Sequence, residues 1–344
     1  MSIFNTASGN PATDVENRLQ IEHLLNAATL SASVLAEKSD VIAGLTQTPK
    51  YIQARYFYDD YGSQLFEQIC DLPEYYLTRT ETAILQECAI AISEITGACE
   101  LVELGSGSST KTRILLDAYE QLNYPLRYVS IDVSAGILES SAKALLADYP
   151  SLQVQALVST YELALKQLKP TSLPNRVICF IGSSLGNLNP QECKTFFSQI
   201  TRALQPNEYF LLGIDLHKSK EILEPAYNDS QGVTAAFNLN ILKHLNQRFD
   251  GNFDLTQFEH LAFYNETKRQ IEMHLRSLRS QTITLKDLDL TIELASDETI
   301  FTEISRKFDL DSIQQELQSQ GLKSIQVWTD ANQKFGVLLC RLLH

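Results

Sequence analysis

Between residues 99 and 215, five short apolar runs alternate with longer amphipathic ones, and few folds accommodate that rhythm. The runs CELVEL (99–104), RYVSIDV (127–133), LQVQALV (152–158), RVICFIG (176–182) and YFLLGID (209–215) read as strands. Their hydrophobicity is nearly continuous, as strands covered on both faces require. Helices are predicted over 110–122, 135–149 and 190–204, the last with Pro190 in its first turn, where a missing N–H breaks no bond. Strand, helix, strand in this order builds a parallel sheet. The end of the chain closes it. A helix over 311–321, with Asp311 as its predicted N-cap and Gly321 as its stop, precedes strands at 324–330 and 334–343. Only Ala331, Asn332 and Gln333 join these strands, so they form a hairpin and the last strand runs antiparallel to the rest.

Residues 1–80 precede this core (81–215 and 308–344), and 216–307 interrupt it. The insertion holds helical text at 233–249 and strand-like text at 270–285. The two outlying segments are expected to form a second, substrate-binding domain over the carboxyl ends of the strands, where open α/β sheets bind their ligands.

Composition removes several function classes. A net charge of −14 over 344 residues opposes any surface that tracks nucleic acid or anionic lipid. The cysteines (Cys70, Cys88, Cys99, Cys179, Cys193, Cys340) form no CxxC pair and several lie in apolar runs, so buried free thiols in a reducing compartment are expected. The six histidines lack metal-ligand spacing, and no metal is expected. MSIFNTASGNPATDVENR has neither the basic nor the apolar region of a signal peptide, and no run is long enough to cross a bilayer. A cytoplasmic monomer acting on a small molecule is the expectation.

The stretch 103-ELGSGSSTKTR-113 resembles two phosphate-binding motifs, and both need a glycine where Thr110 stands. Phosphate loops use bare backbone to touch phosphate. S-adenosylmethionine (SAM) carries none and needs only a tight turn after the first strand, which Gly105 and Gly107 provide. It also needs an acid at the end of the second strand to accept from the ribose hydroxyls, and Asp132 stands there. Turn, acid and terminal hairpin together have the pattern of the class I SAM-dependent methyltransferases, with their Rossmann-like α/β sheet.

A competing motif is 182-GSSLG-186, a literal G-x-S-x-G after a strand, followed in order by Asp215 and by His244, His260 and His274. A nucleophile elbow enters its helix directly, whereas Asn187, Leu188, Asn189 and Pro190 intervene here. At this place in a methyltransferase the loop faces the methyl acceptor, and Asn187 can both donate to and accept from an amino acid's polar end. Asn187 can equally be a turn residue before a helix.

A more specific resemblance rests on 58-YDDYGSQLFEQICDLPEYYLTRTE-81, 103-ELGSGSSTKTRILLDA-118, 181-IGSSLGNLNP-190, 227-YNDSQGVTAAFNLN-240, 272-EMHLRS-277 and 302-TEISRKF-308. From about residue 45 onward the chain resembles the histidine Nα-methyltransferases of ergothioneine biosynthesis. The resemblance implies SAM-dependent trimethylation of the histidine α-amine to hercynine. It implies that Tyr58 and Tyr75 lie near the amine and that Asn187 and Tyr227 hold the amino and carboxylate groups. Glu303 and Ser305 are then the residues that recognise the imidazole, and Thr234 and Met273 line the pocket. On the cofactor side it implies Gly105, Lys111 and Asp132.

One departure stands out. Where that family has an Asp-Phe pair after the third strand to bind adenine, this chain has Thr160 and Tyr161. Tyr161 can pack on the base and Thr160 can accept from its amine without a charge, so weaker SAM binding is expected. Two other readings keep the fold: methylation of a tryptophan-derived amine, which should not call for the Glu-x-Ser pair, and SAM sensing without turnover.

Overall fold

The computed structural model of the protein describes residues 17–24 and 27–343, without the side chains of 27–36. In chain order the elements begin with β1 (Leu19–His23), α1 (Ala27–Thr46), β2 (Lys50–Tyr51), α2 (Asp60–Asp71) and α3 (Tyr76–Thr96). The core follows as β3 (Cys99–Leu104), α4 (Thr110–Gln121), β4 (Leu126–Asp132), α5 (Ala135–Asp148), β5 (Gln153–Val158), α6 (Tyr161–Gln167), β6 (Asn175–Phe180), α7 (Pro190–Ala203) and β7 (Tyr209–Asp215). The insertion holds α8 (Lys220–Leu223), α9 (Val233–Phe249), β8 (Phe258–Asn265), β9 (Gln270–Ser277), β10 (Gln281–Leu285), β11 (Leu290–Leu294) and β12 (Thr299–Arg306). The chain closes with α10 (Leu310–Ser319), β13 (Leu322–Thr329) and β14 (Phe335–Leu342).

Eight strands form the main sheet in the order β1-β5-β4-β3-β6-β7-β14-β13. Strands β1 to β7 within it are parallel, and β14 runs antiparallel between β7 and its hairpin partner β13. Successive residues of β6 serve opposite faces: Val177 and Cys179 join one core layer, Ile178 and Phe180 the other. Helices therefore cover both faces. The chain leaves β3 toward β4 on one side and later toward β6 on the other, so the switch point lies between β3 and β6.

A second sheet, β2-β12-β9-β8, joins residues 50–51 to the insertion, while β10 and β11 form a hairpin of their own. Between Phe301 and Glu303, β12 carries a bulge against β9, with Thr302 the extra residue. Thr302 is fully buried, its hydroxyl donating to Asn238 Oδ1 and to the Met273 carbonyl. The bulge reverses the parity of the strand, so that Ile300 and Glu303 share a face although they are three residues apart.

Two expectations need correction. Residues 19–23, assigned to the second domain, extend the main sheet beside β5, and Arg18 donates to the carbonyls of Leu146, Tyr149 and Leu152 there. Residues 1–16 of that segment lie outside the described residues. The cap of α10 is Asp309, not Asp311: Asp309 Oδ1 accepts from the backbone N–H of Ser312 at 2.9 Å. Gly321 does follow the helix end, with φ +85°. Asp309→Ala is expected to cost about 1 kcal/mol of stability in thermal or urea unfolding, and Asp311→Ala clearly less.

Candidate active site

A cavity of about 240 Å³ opens at the carboxyl end of β6, roofed by the second sheet and α9. Tyr58, Tyr75, Asn187, Tyr227, Thr234, Met273, Glu303 and Ser305 all line it, so the substrate-side residues expected from the sequence converge in one place. Local structure explains each position. Tyr58 ends a short 3-10 helix, and Asp59 then caps α2 by accepting from Gly62 N at 2.7 Å. A side chain at Gly62 would collide with the Phe57 carbonyl, which accounts for the glycine of the YDDYGS motif. Asn240 of α9 donates to the same Asp59 oxygen at 2.7 Å. The turn before Tyr75 is held by Arg79, which donates to the carbonyls of Leu72, Pro73 and Tyr75.

Aromatic rings wall the cavity. Tyr58 meets Phe66 and Phe237 at centroid distances of 5.8 and 5.7 Å, and Tyr75 meets Phe66 and Tyr227 at 6.5 and 6.2 Å. Phe66 and Phe237 were not anticipated from the sequence; each is an ordinary core position of an amphipathic helix until the fold brings them together. Desolvation pushes the phenol of buried Tyr75 well above the usual range and that of the partly exposed Tyr58 in the same direction, so both are neutral at physiological pH.

Polar groups occupy the opposite wall. Period-2 alternation beyond the bulge puts Glu303 and Ser305 on the cavity face of β12, with Met273 of β9 paired to Glu303. Asn187 ends the 3-10 turn Ser184–Asn187 and lies close enough to Glu303 to favour its ionised form. That turn packs tightly on β12, since a Cβ at Gly186 would lie 3.0 Å from the Arg306 carbonyl. Burial raises the Glu303 carboxyl to about 7, against the lowering effects of Lys307 and Asn187. Behind this wall the fully buried Asp215, the last residue of β7, accepts from Tyr76 OH at 2.7 Å and pairs with Lys218 (2.5 Å) and Lys307 (2.8 Å). Burial lowers Lys218 to about 8.

The cofactor-side residues meet at the switch point. Gly105 (φ +71°) and Gly107 (φ +48°) turn the chain after β3, and Gly107 N–H donates to Asp132 Oδ2 at 3.1 Å. A Cβ at Gly105 would sit 2.6 Å from Tyr161 OH and displace that ring, while the positive φ itself favours glycine. Tyr161 also lines the cavity, whereas Thr160 stands exposed at the N-cap of α6. Beneath the turn, buried Glu103 accepts from the hydroxyls of Thr112 and Tyr128, tying α4 to β4. Lys111 reaches across to Glu81 of α3 at 2.5 Å, and both Glu81 oxygens accept from Gly182 N–H.

Glu81 was missed from the sequence. The available signal was Gly213 inside β7, where any side chain would strike Glu81 Oε1.

The second motif finds no catalytic partners. Ser184 Oγ lies near the Ile181 carbonyl, Asp215 is held by lysines, and His244 and His260 bond backbone carbonyls. His274 is wedged between Phe263 and Phe301. The cysteines are free thiols, and among the described residues no cluster of three potential metal ligands exists. Among the same residues no helix is long and apolar enough to cross a membrane.

SAM fits the residues present. The buried hydroxyls of Ser106 and Ser159, which flank the end of β4, have no partner within the protein. Asp132 gives each oxygen to one backbone N–H, of Gly107 and Ser134, leaving further acceptor capacity toward a ribose. A parallel sheet with a terminal antiparallel hairpin, this turn and acid, and an adjoining aromatic cavity define a SAM-dependent methyltransferase acting on a small molecule. Within that class, the chain belongs to the SAM-dependent histidine-specific methyltransferases, whose family profile matches residues 37–342. It is 41% identical to the histidine N-alpha-methyltransferase of Mycolicibacterium smegmatis, over 92% of this chain and 98% of that protein. It is 39% identical to the Mycobacterium tuberculosis protein of that name, over 90% and 95%. Ergothioneine biosynthesis protein 1 of Neurospora crassa is 29% identical over 83% of this chain, which matches 32% of that longer protein.

The raised Glu303 has a consequence for stability. The folded protein holds this proton more tightly than the unfolded chain, so ionised Glu303 destabilises the fold increasingly from its ordinary pKa of 4.5 up to about 7, and fully above that. Glu303→Gln is therefore expected to stabilise the ligand-free protein at pH 8 by roughly 1–3 kcal/mol and by almost nothing at pH 4. Calorimetric unfolding at the two pH values measures the difference.

Proposed function

We propose that the protein methylates the α-amino nitrogen of L-histidine three times in succession, giving hercynine for ergothioneine biosynthesis. The observation that carries this reading is the pair Glu303 and Ser305 on one wall of an aromatic cavity beside the glycine turn. A carboxylate that must accept an imidazole N–H rejects side chains that cannot donate, because it would otherwise stay desolvated and unpaired. Gly105, Gly107, Asp132, Tyr161 and Lys111 are the residues we assign to SAM, with Thr160 at its adenine end. When bound, SAM supplies an electrophilic methyl group.

The protein's part is placement of a neutral amine on the transfer axis. Each transfer frees one proton from the incoming ammonium, and we route it to solvent past Tyr58, which is 42% exposed at the cavity. Tyr58 and Tyr75, as neutral phenols, orient the amine by hydrogen bonds. Their ring faces favour the cation that builds up, by roughly 0.5–2 kcal/mol each. Asn187, Tyr227 and Thr234 are assigned to the amino acid's polar end and Met273 to the ring.

Of the outlying segments, residues 50–80 and 216–307 supply the substrate side of this scheme, a division supported by their providing Tyr58, Tyr75, Tyr227 and Glu303. We read the protein as a cytoplasmic monomer without nucleic-acid or membrane partners. Its net charge of −14 supports the absence of nucleic-acid and anionic-membrane partners in that reading.

Mass spectrometry of an amino-acid panel incubated with enzyme and SAM is expected to show mono-, di- and trimethylated histidine and no methylated tryptophan; an unmodified histidine sample would end the proposal. Glu303→Ala is expected to weaken histidine binding at least tenfold and to leave S-adenosylhomocysteine binding within about twofold, by calorimetry. Tyr58→Phe is expected to change the relative rates of the three methylations more than SAM affinity, read from the time course of the intermediates.

A further inference from the structure

Lys307 takes no part in the scheme above, yet it is fully buried directly behind the hydroxyls of Ser305 and Tyr227, two residues that line the cavity. Its ammonium has three protons, and each has a partner: Asp215 Oδ2 at 2.8 Å, Ser305 Oγ at 2.8 Å and Tyr227 OH at 3.0 Å. Tyr227 O–H in turn donates to Ser305 Oγ at 2.7 Å. A serine oxygen has two acceptor sites, and both are now filled, one by the lysine and one by the tyrosine. The serine's own proton remains, and Ser305 lines the cavity. It can meet a ligand there only as a donor.

Glu303, two residues earlier on the same face, is the opposite when ionised, since a carboxylate only accepts. We infer that Lys307 is a positioning residue that fixes Ser305 as a hydrogen-bond donor, so that the Glu303–Ser305 pair selects the neutral imidazole in a single tautomer and rejects imidazolium. The inference rests on histidine being the substrate. A neutral imidazole presents one N–H and one bare nitrogen, matching one acceptor and one donor. Imidazolium presents two N–H groups, and one would face the Ser305 proton with a buried ammonium behind it. An indole presents an N–H alone and would leave the Ser305 proton without a partner.

The charged and titratable groups around Lys307 come from several elements. Asp215 ends β7, Tyr76 opens α3, Lys218 and Tyr227 follow β7, Tyr264 belongs to β8 and Glu303 to β12. Of these Glu303 and Lys218 titrate near the working range, so histidine must be compared with a ligand that experiences both in the same way. The analogue 1,2,4-triazole-3-alanine also offers one N–H and a bare nitrogen, and its ring takes up no proton in the range used.

The test is calorimetry on the full chain saturated with S-adenosylhomocysteine. For the wild-type protein, histidine affinity relative to the triazole analogue is expected to fall about tenfold from about pH 7.5 to about pH 5.5, following the ring's ordinary pKa near 6.5. In Lys307→Met an acceptor site on Ser305 is released, and the ratio should vary by no more than about twofold over that range. Tyr227→Phe leaves Lys307 and Asp215 in place, frees the other acceptor site, and should flatten the ratio in the same direction. An unchanged slope in whichever variant still binds S-adenosylhomocysteine would make Lys307 merely structural and overturn the assignment. So would a flat wild-type ratio. Histidine giving no heat with the wild-type protein would instead refute the substrate on which the inference rests.

Discussion

Asp215 is the point at which the sheet and the insertion are tied together. It has no exposed surface, stands on the last residue of β7, and holds Tyr76 of α3 on one side and Lys218 and Lys307 of the insertion on the other. Its backbone N–H donates to Ser183 Oγ, so the loop after β6 is fastened to the same place. Removing one partner of a buried ion pair leaves an uncompensated charge and costs about 3–5 kcal/mol, far more than an exposed pair would. Tyr227 and Ser305 are both bonded to Lys307, and the polar wall of the cavity thus inherits its geometry from a carboxylate that stands behind it.

Glu81 does the corresponding work on the cofactor side. It sits 1% exposed in α3, binds the Gly182 N–H with both oxygens, and holds Lys111 from the helix after the glycine turn. Helix α3 therefore supplies an anchor to each half of the cleft, Tyr76 near its start and Glu81 little more than a turn later. The turns after β3 and β6, which border the switch point, are held in fixed relation by one side chain. Such a site is preorganised: its polar groups are oriented by protein partners before any ligand arrives.

The core was legible in the sequence because strands buried on both faces leave long apolar runs, and a three-residue link permits only a hairpin. The α10 cap was misread because Asp309 and Asp311 are both chemically able to cap, and φ and ψ decide between them. β1 was not legible: LQIEH has no continuous apolar face, and its place depends on pairing with β5 far along the chain. In the insertion, the bulge at Thr302 breaks period-2 reading in the strand that carries Glu303 and Ser305. Those two were found by resemblance, while Lys307, at the next alternate position, was not. Glu81 and Asp215 reveal their roles only once distant elements meet.

The short strand β1 also has a bearing on how the chain behaves toward copies of itself. It lies along the outer side of β5, with Arg18 gripping the end of α5 and Glu22 accepting from Gln155. Without it, the row of N–H and C=O groups on β5, an apolar strand, would be open to pairing with another molecule. Trimming the chain past residue 24 would remove none of the cavity-lining residues and still create a sticky margin. The cost would fall first on solubility.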